Sequence, residues 1–138
     1  MAQIIPNIRF NDGKCREGMN FYKKCLGGGD LTFMTVKESP MAKDMPADKH
    51  DLIMHSDLKK GKLLLSGSDM MRDKATIGDN VSLIVNCESE EEIRTLFKNL
   101  SEGAEIFMEL EDAYWGAIFG MLTDKYGVEW MFNYDKKK

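Results

Sequence analysis

The same order of elements, strand, helix, strand and hairpin, runs twice along these 138 residues, and that doubling limits the fold more than any other feature. The first helix is expected over 13–26, capped by Asn11 or Asp12 and stopped by Gly27, Gly28 and Gly29. Its apolar stripe, Cys15, Met19, Tyr22, Cys25 and Leu26, recurs at helical spacing. The second helix opens on Ser89-Glu90-Glu91-Glu92, a capping box in which the serine oxygen takes an orphan N–H and the glutamate reaches back. Ile93, Leu96, Phe97 and Leu100 follow at i, i+3, i+4 and i+7, and Gly103 ends the run.

A strand precedes each helix, over 5–10 and 81–87, and another follows it, over 30–34 and 104–108. Phe33-Met34 maps onto Phe107-Met108 at an offset of 74 (107 − 33), and Gly29 maps onto Gly103 at the same offset. Each half then closes with a hairpin. Strands 52–58 and 62–66 flank Lys59-Lys60-Gly61, and strands 116–123 and 128–133 flank Asp124-Lys125-Tyr126-Gly127. The expected architecture is therefore α+β, a single domain over 1–138 with repeat 1 at about 3–67 and repeat 2 at about 79–134. Residues 37–50 and 68–79 break the periodicity with turn chemistry and carry Met41, Met45, Met70 and Met71. These methionines either cover a cavity, meet a partner or tuck onto the core.

Composition removes several function classes. With 43% hydrophobic and 30% charged residues the chain is not of the disordered type. The net charge is −4 and no basic block is clustered enough for nucleic acid. The tail Lys136-Lys137-Lys138 reads as a solubilising end. No apolar run approaches the ~20 residues of a membrane span, and Met1 to Pro6 lacks the basic start and apolar core of a signal peptide. Cys15, Cys25 and Cys87 form neither an even framework nor a CxxC pair, which suits reduced thiols in a cytoplasm.

Phe21-Tyr22 followed by Leu26-Gly27-Gly28 resembles the first-helix ending of the glyoxalase/bleomycin-resistance (vicinal oxygen chelate) superfamily. Met54-His55, Trp115-Gly116 and Asp124-Lys125-Tyr126-Gly127-Val128-Glu129-Trp130 resemble its PhnB-like branch, over roughly residues 5–133. Lys125 departs from the proline usual there. Nothing in the chain resembles a methyl-donor site. The resemblance implies two tandem βαβββ units whose strands form a curved, cup-shaped mixed sheet with helices on the outer face. It also implies a homodimer, with cups completed within one chain or across the interface.

In metal-using relatives, ligands come from the first and last strands of each unit. Carried onto this chain those positions are Asn7, Leu65, Asn80 and Met131. Two amides and two apolar side chains are a poor set for a first-row metal, so no metal and no other cofactor is expected. A slip of one residue would exchange a strand's faces. Strand alternation places Asn7 and Arg9 on the cup side, with His55 and Asp57 beside Ile53. Asn80, Ser82 and Asn86 join them from the second half, with Trp115, Phe119, Met121, Glu129, Met131 and Asn133. The opposite parity, Ile8, Phe10, Val81, Leu83, Val85, Val128, Trp130 and Phe132, is uniformly apolar, as a helix-covered face should be.

His55 is the best candidate for acid–base work, because its unperturbed pKa lies near neutrality, and Asp57 could orient it. It could equally be structural, and Arg9 and Glu129 either recognise an ionic substrate or pair with each other. No G-x-S-x-G, H-E-x-x-H, phosphate loop or dinucleotide fingerprint is present. Three readings stay open: a metal-independent small-molecule binder, an enzyme using His55 or an atypical metal site, and a structural or partner-binding module with a filled cup.

Overall fold

The structure is a computed structural model and describes residues 1–136; Lys137 and Lys138 of the basic tail lie outside them. The chain divides into two compact units, Met1–Thr76 and Ile77–Lys138. Each carries four strands and one helix in βαβββ order. The α+β class and the tandem units read from the sequence are what the structure contains, as two four-stranded mixed sheets. Among the described residues no helix is long and apolar enough to cross a membrane.

In the first unit β1 (Asn7–Phe10) leads to α1 (Cys15–Cys25), β2 (Asp30–Thr35), β3 (Ile53–Lys60) and β4 (Leu63–Asp69). The sheet order is β1-β4-β3-β2, with β1 and β4 parallel and the other pairs antiparallel. The expected stripe of α1 is fully buried against this sheet, at roughly 1.5–3 kcal/mol for each large apolar side chain removed from water. Gly18 lets the helix approach closely: a Cβ there would lie 2.1 Å from the Phe10 ring.

The start of α1 differs from the sequence expectation. Neither Asn11 nor Asp12 caps it; Lys14 is the N-cap residue and offers no side-chain cap. Asp69, 54 residues away on β4, accepts the Cys15 N–H at 2.9 Å and the Ile53 N–H at 2.8 Å. One buried carboxylate thus ties helix, β3 and β4 together. Asn11 instead clamps Ala75, accepting its N–H at 2.7 Å and donating to its carbonyl at 3.2 Å. The stretch after β2 forms two 3₁₀ turns, Ala42–Asp44 and Ala47–Lys49. Lys49 donates to the Met71 carbonyl at 2.6 Å, which pins the two methionine-bearing loops of this unit to each other.

The second unit repeats the order with β5 (Leu83–Cys87), α2 (Glu90–Leu100), β6 (Glu105–Asp112), β7 (Ala117–Thr123) and β8 (Glu129–Asp135), in sheet order β5-β8-β7-β6. Ser89 caps α2 as expected, accepting the Glu92 N–H at 3.0 Å. Glu92 reaches back one residue further than a capping box requires, to the N–H of Glu88 at 2.8 Å. Phe97 of α2 meets Phe132 of β8 edge to face at 5.2 Å. Asp124 anchors the turn before β8, accepting the Tyr126 and Val128 N–H groups and the Trp130 indole N–H.

Candidate functional site on the open face of the first sheet

Each sheet has one face packed by its helix and one left open. In the first unit the helix side is identified by Gly67, where a Cβ would meet Met19 and Phe10. Alternation then sends Leu65 and Asp69 to the helix and Leu64, Ser66 and Ser68 to the open face. The strand registers align Asn7, Ser66, Asp57 and Thr32 in one polar row across all four strands. Neighbouring strands are about 4.8 Å apart, so these side chains lie within reach of one another.

Asp57 is the hub of that row. Its Oδ1 accepts the Ser66 hydroxyl at 2.6 Å and its Oδ2 contacts His55 Nε2 at 2.7 Å. The Ser66 hydrogen bond is the largest cause holding the Asp57 carboxyl below the usual carboxylate range. Partial burial pulls the other way, and the hydrogen bond and charge of His55 add to the lowering. Asp57 is therefore ionised at neutral pH while two of its lone-pair sites are taken and others remain free. The two side chains of the pair are about half exposed, 52% and 53%, so a solute reaches them directly. This is not a nucleophile triad: the carboxylate sits in the middle, and the serine donates to it rather than to the imidazole.

Beside the row is a cleft of about 570 Å³, lined among others by Gln3, Ile5, Asp57, Lys59, Lys62 and Ser66. Its size lies within the range of small-molecule sites.

Not every expected site residue joins this row. Arg9 is exposed on β1 with Asn7. Ile53 does not accompany His55 and Asp57: the register slips between Met34 and Thr35, and the bulge turns Ile53 into the core. Leu65, one of the mapped ligand positions, is buried opposite Leu58 on the helix side. Asn80, Val81 and Ser82 precede β5 rather than belonging to it, and Val81, assigned to the covered face, is 71% exposed.

In the second unit Ser82 donates to Glu129 Oε1 at 3.1 Å. Met131 stands opposite Ile84 and Met121, and Asn133 pairs with Asn86 at 3.4 Å. Phe119 packs edge to face on Trp115 at 5.5 Å, and Trp115 likewise on Tyr114 at 5.0 Å. Trp115 lies in the β6–β7 connection, half exposed.

A divalent metal of the kind the superfamily uses does not fit these residues. Of the four mapped positions, Leu65 faces the helix and Asn80 lies off its strand. Asn7 and Met131 supply an amide oxygen and a thioether. Among the described residues no three His, Cys, Asp or Glu side chains converge to hold an ion.

Sequence reasoning missed Ser66. The signal was the hairpin: a two-residue turn, Gly61-Lys62, pairs Lys60 with Leu63 and so Asp57 with Ser66. The family's ligand position, carried onto Leu65, falls one residue short of Ser66.

Comparison with known proteins agrees with this fold along nearly the whole chain. The family described as 3-demethylubiquinone-9 3-methyltransferase matches residues 2–132. Protein YjdN of Escherichia coli is 27% identical over 98% of this chain and 97% of its own. The crystal structure of PA1353 from Pseudomonas aeruginosa is 37% identical over 98% of both chains, with a TM-score of 0.85. A Bacillus cereus protein described as a putative 3-demethylubiquinone-9 3-methyltransferase, PhnB protein, is 27% identical over 96% of this chain and 99% of its own, with a TM-score of 0.78. A glyoxalase/bleomycin resistance protein/dioxygenase family enzyme from Burkholderia phytofirmans shares the fold at 13% identity, with a TM-score of 0.59 over 94% and 96% of the two chains.

Proposed function

We propose that this chain, which belongs to the 3-demethylubiquinone-9 3-methyltransferase family and to the PhnB-like branch of the glyoxalase/bleomycin-resistance fold, is a metal-independent binder of a small organic molecule. The observation that carries this reading is the Ser66–Asp57–His55 chain, an ionised carboxylate held on an open sheet face at the edge of a 570 Å³ cleft. A carboxylate whose hydrogen bonds favour the charged form is a ready acceptor for a cationic or strongly donating group.

The remaining expected contacts, Asn7, Arg9, Asn80, Ser82, Trp115, Phe119, Met121, Glu129 and Met131, stand as candidates by residue type. The enzyme reading is supported by one observation. The 2.7 Å His55–Asp57 contact fixes one imidazole nitrogen and leaves the other for proton transfer. A cytoplasmic location agrees with the burial of Cys15, Cys25 and Cys87 as thiols. A homodimer agrees with Phe107, 78% exposed on edge strand β6.

Thermal-shift screening of chelator-treated protein against aromatic, cationic and phosphonate compounds tests the binder. Stabilisation by a compound is expected to survive chelation and to fall in Asp57→Asn. Stabilisation that needs added metal, or that ignores Asp57, would contradict it. For the enzyme reading, once a substrate is in hand, unchanged turnover in His55→Ala removes the residue from the chemistry.

A further inference from the structure

The cleft of the first unit has charges of both signs and greasy walls. Asp57 and Lys59 alternate on β3 and therefore point to the same open face, about 7 Å apart along the strand. Lys62 sits in the hairpin turn, and all three line the cleft. Beside them stand Leu64, opposite Lys59 in the register, and Ile5, in the segment that runs beside β4 and whose neighbour Pro6 accepts the Ser66 N–H.

The charges are not used up by each other. Asp57 is occupied by Ser66 and His55, not by either lysine. Asp30 stands opposite Lys59 on β2, yet among the described residues no ion pair joins them, and Lys62 has none either. A sheet face that carries a carboxylate and two unpaired ammonium groups beside apolar side chains offers a matched set of contacts to a molecule with the reverse arrangement.

We infer that this cleft takes a small zwitterion, its ammonium on Asp57, its anionic group between Lys59 and Lys62, and an apolar spacer lying on Ile5 and Leu64. The inference rests on the reading of Asp57 as a ligand-binding carboxylate and adds the chemical class of the ligand. The anionic group can be a carboxylate or a phosphonate, since ammonium groups hold either as point charges.

The test uses 5-aminovalerate, whose four-methylene spacer reaches about that far when extended, beside pentylamine and valerate as one-ended controls. Affinities are read by NMR titration at low ionic strength, where exposed charges are least screened. The zwitterion is expected to bind about tenfold tighter than either control, as a second charge-assisted contact would give. Glutaric acid methyl monoester, which keeps the anion and loses the ammonium, is expected to bind no better than valerate.

The double variant Lys59→Gln/Lys62→Gln changes only exposed side chains. It is expected to lose the advantage of 5-aminovalerate over pentylamine while pentylamine binding stays. If 5-aminovalerate is no tighter than pentylamine in the parent protein, the zwitterion proposal is overturned; pentylamine shifting the Asp57 and His55 signals then leaves the carboxylate site standing. If no amine shifts those signals, both fall. An advantage that persists in the double variant overturns the lysine assignment and the proposal with it. Repeating the titration with 3-aminopropylphosphonate tells a phosphonate preference from a carboxylate one.

Discussion

Ser66 donates its hydroxyl to Asp57 at 2.6 Å across the β3–β4 register, so a serine at the centre of a strand favours the charged form of the carboxylate beside it. That bond is the largest single cause holding Asp57 below the ordinary carboxylate range. Removing it removes a partner of the ionised form, and the sign is fixed: Ser66→Ala raises the pKa of Asp57 toward the ordinary ~3.9. Carboxyl-carbon NMR titration of the two proteins measures the rise directly; an unchanged or lower value in the variant would contradict the assignment.

The same shift makes a statement about stability. The folded-state pKa of Asp57 lies below its unfolded value, so its contribution is fully present above the unfolded pKa and is lost as pH falls through the lowered one. Urea titrations of the parent and of Asp57→Asn should therefore converge as the pH drops below about 4. A gap that widens with acid would mean that Asp57 is not stabilised as the anion.

Asp69 should matter far more to folding than the candidate caps beside the helix. It is buried and takes two backbone N–H groups, those of Cys15 and Ile53. Asp69→Ala leaves both donors without a partner and is expected to cost about 3 kcal/mol in urea unfolding. Asn11→Ala releases only the clamp on Ala75 and should cost about 1 kcal/mol or less.

Local chemistry was legible in the sequence, and non-local register was not. Ser89, the apolar stripes of both helices and the apolar parity of β8 follow from spacing within a few residues, and the structure has them. The α1 cap comes from Asp69, and no local pattern announces a partner 54 residues away. Leu65 and Ile53 were misplaced for related reasons. The family position carried onto Leu65 is one residue off and a bulge opposite Met34–Thr35 shifts Ile53 by one, and one residue exchanges the faces of a strand. His55 and Asp57 were found together because they are two apart on one strand; Ser66 needed the register.

Gly18→Ala should destabilise the protein although alanine is the better helix former by about 1 kcal/mol. Its Cβ would sit 2.1 Å from the Phe10 ring, an overpacking clash that typically costs about 1–3 kcal/mol. Phe10→Leu in the same protein should recover part of the loss, since the ring is what collides. Additive losses in the double variant would place the clash elsewhere.

The thiols of Cys15 and Cys87 should be inert in the folded protein. Burial, ahead of the nearby Asp69 and Glu92 charges respectively, pushes each up to about 12, and the thiolate is the reactive form. A disulfide reagent at pH 8 should label neither until urea unfolds the chain. Rapid labelling of Cys15 or Cys87 under native conditions would show that α1 or β5 opens locally.

The central claim is that the open face organised by Asp57 is where a small molecule binds without a metal. Chemical-shift mapping of chelator-treated, isotopically labelled protein against an amine-bearing fragment set tests it most directly. The expected result is a cluster of perturbations at His55, Asp57, Ser66, Lys59 and Lys62 that disappears in Asp57→Asn. Perturbations that leave these five residues untouched, or that appear only when a divalent metal is restored, would contradict it.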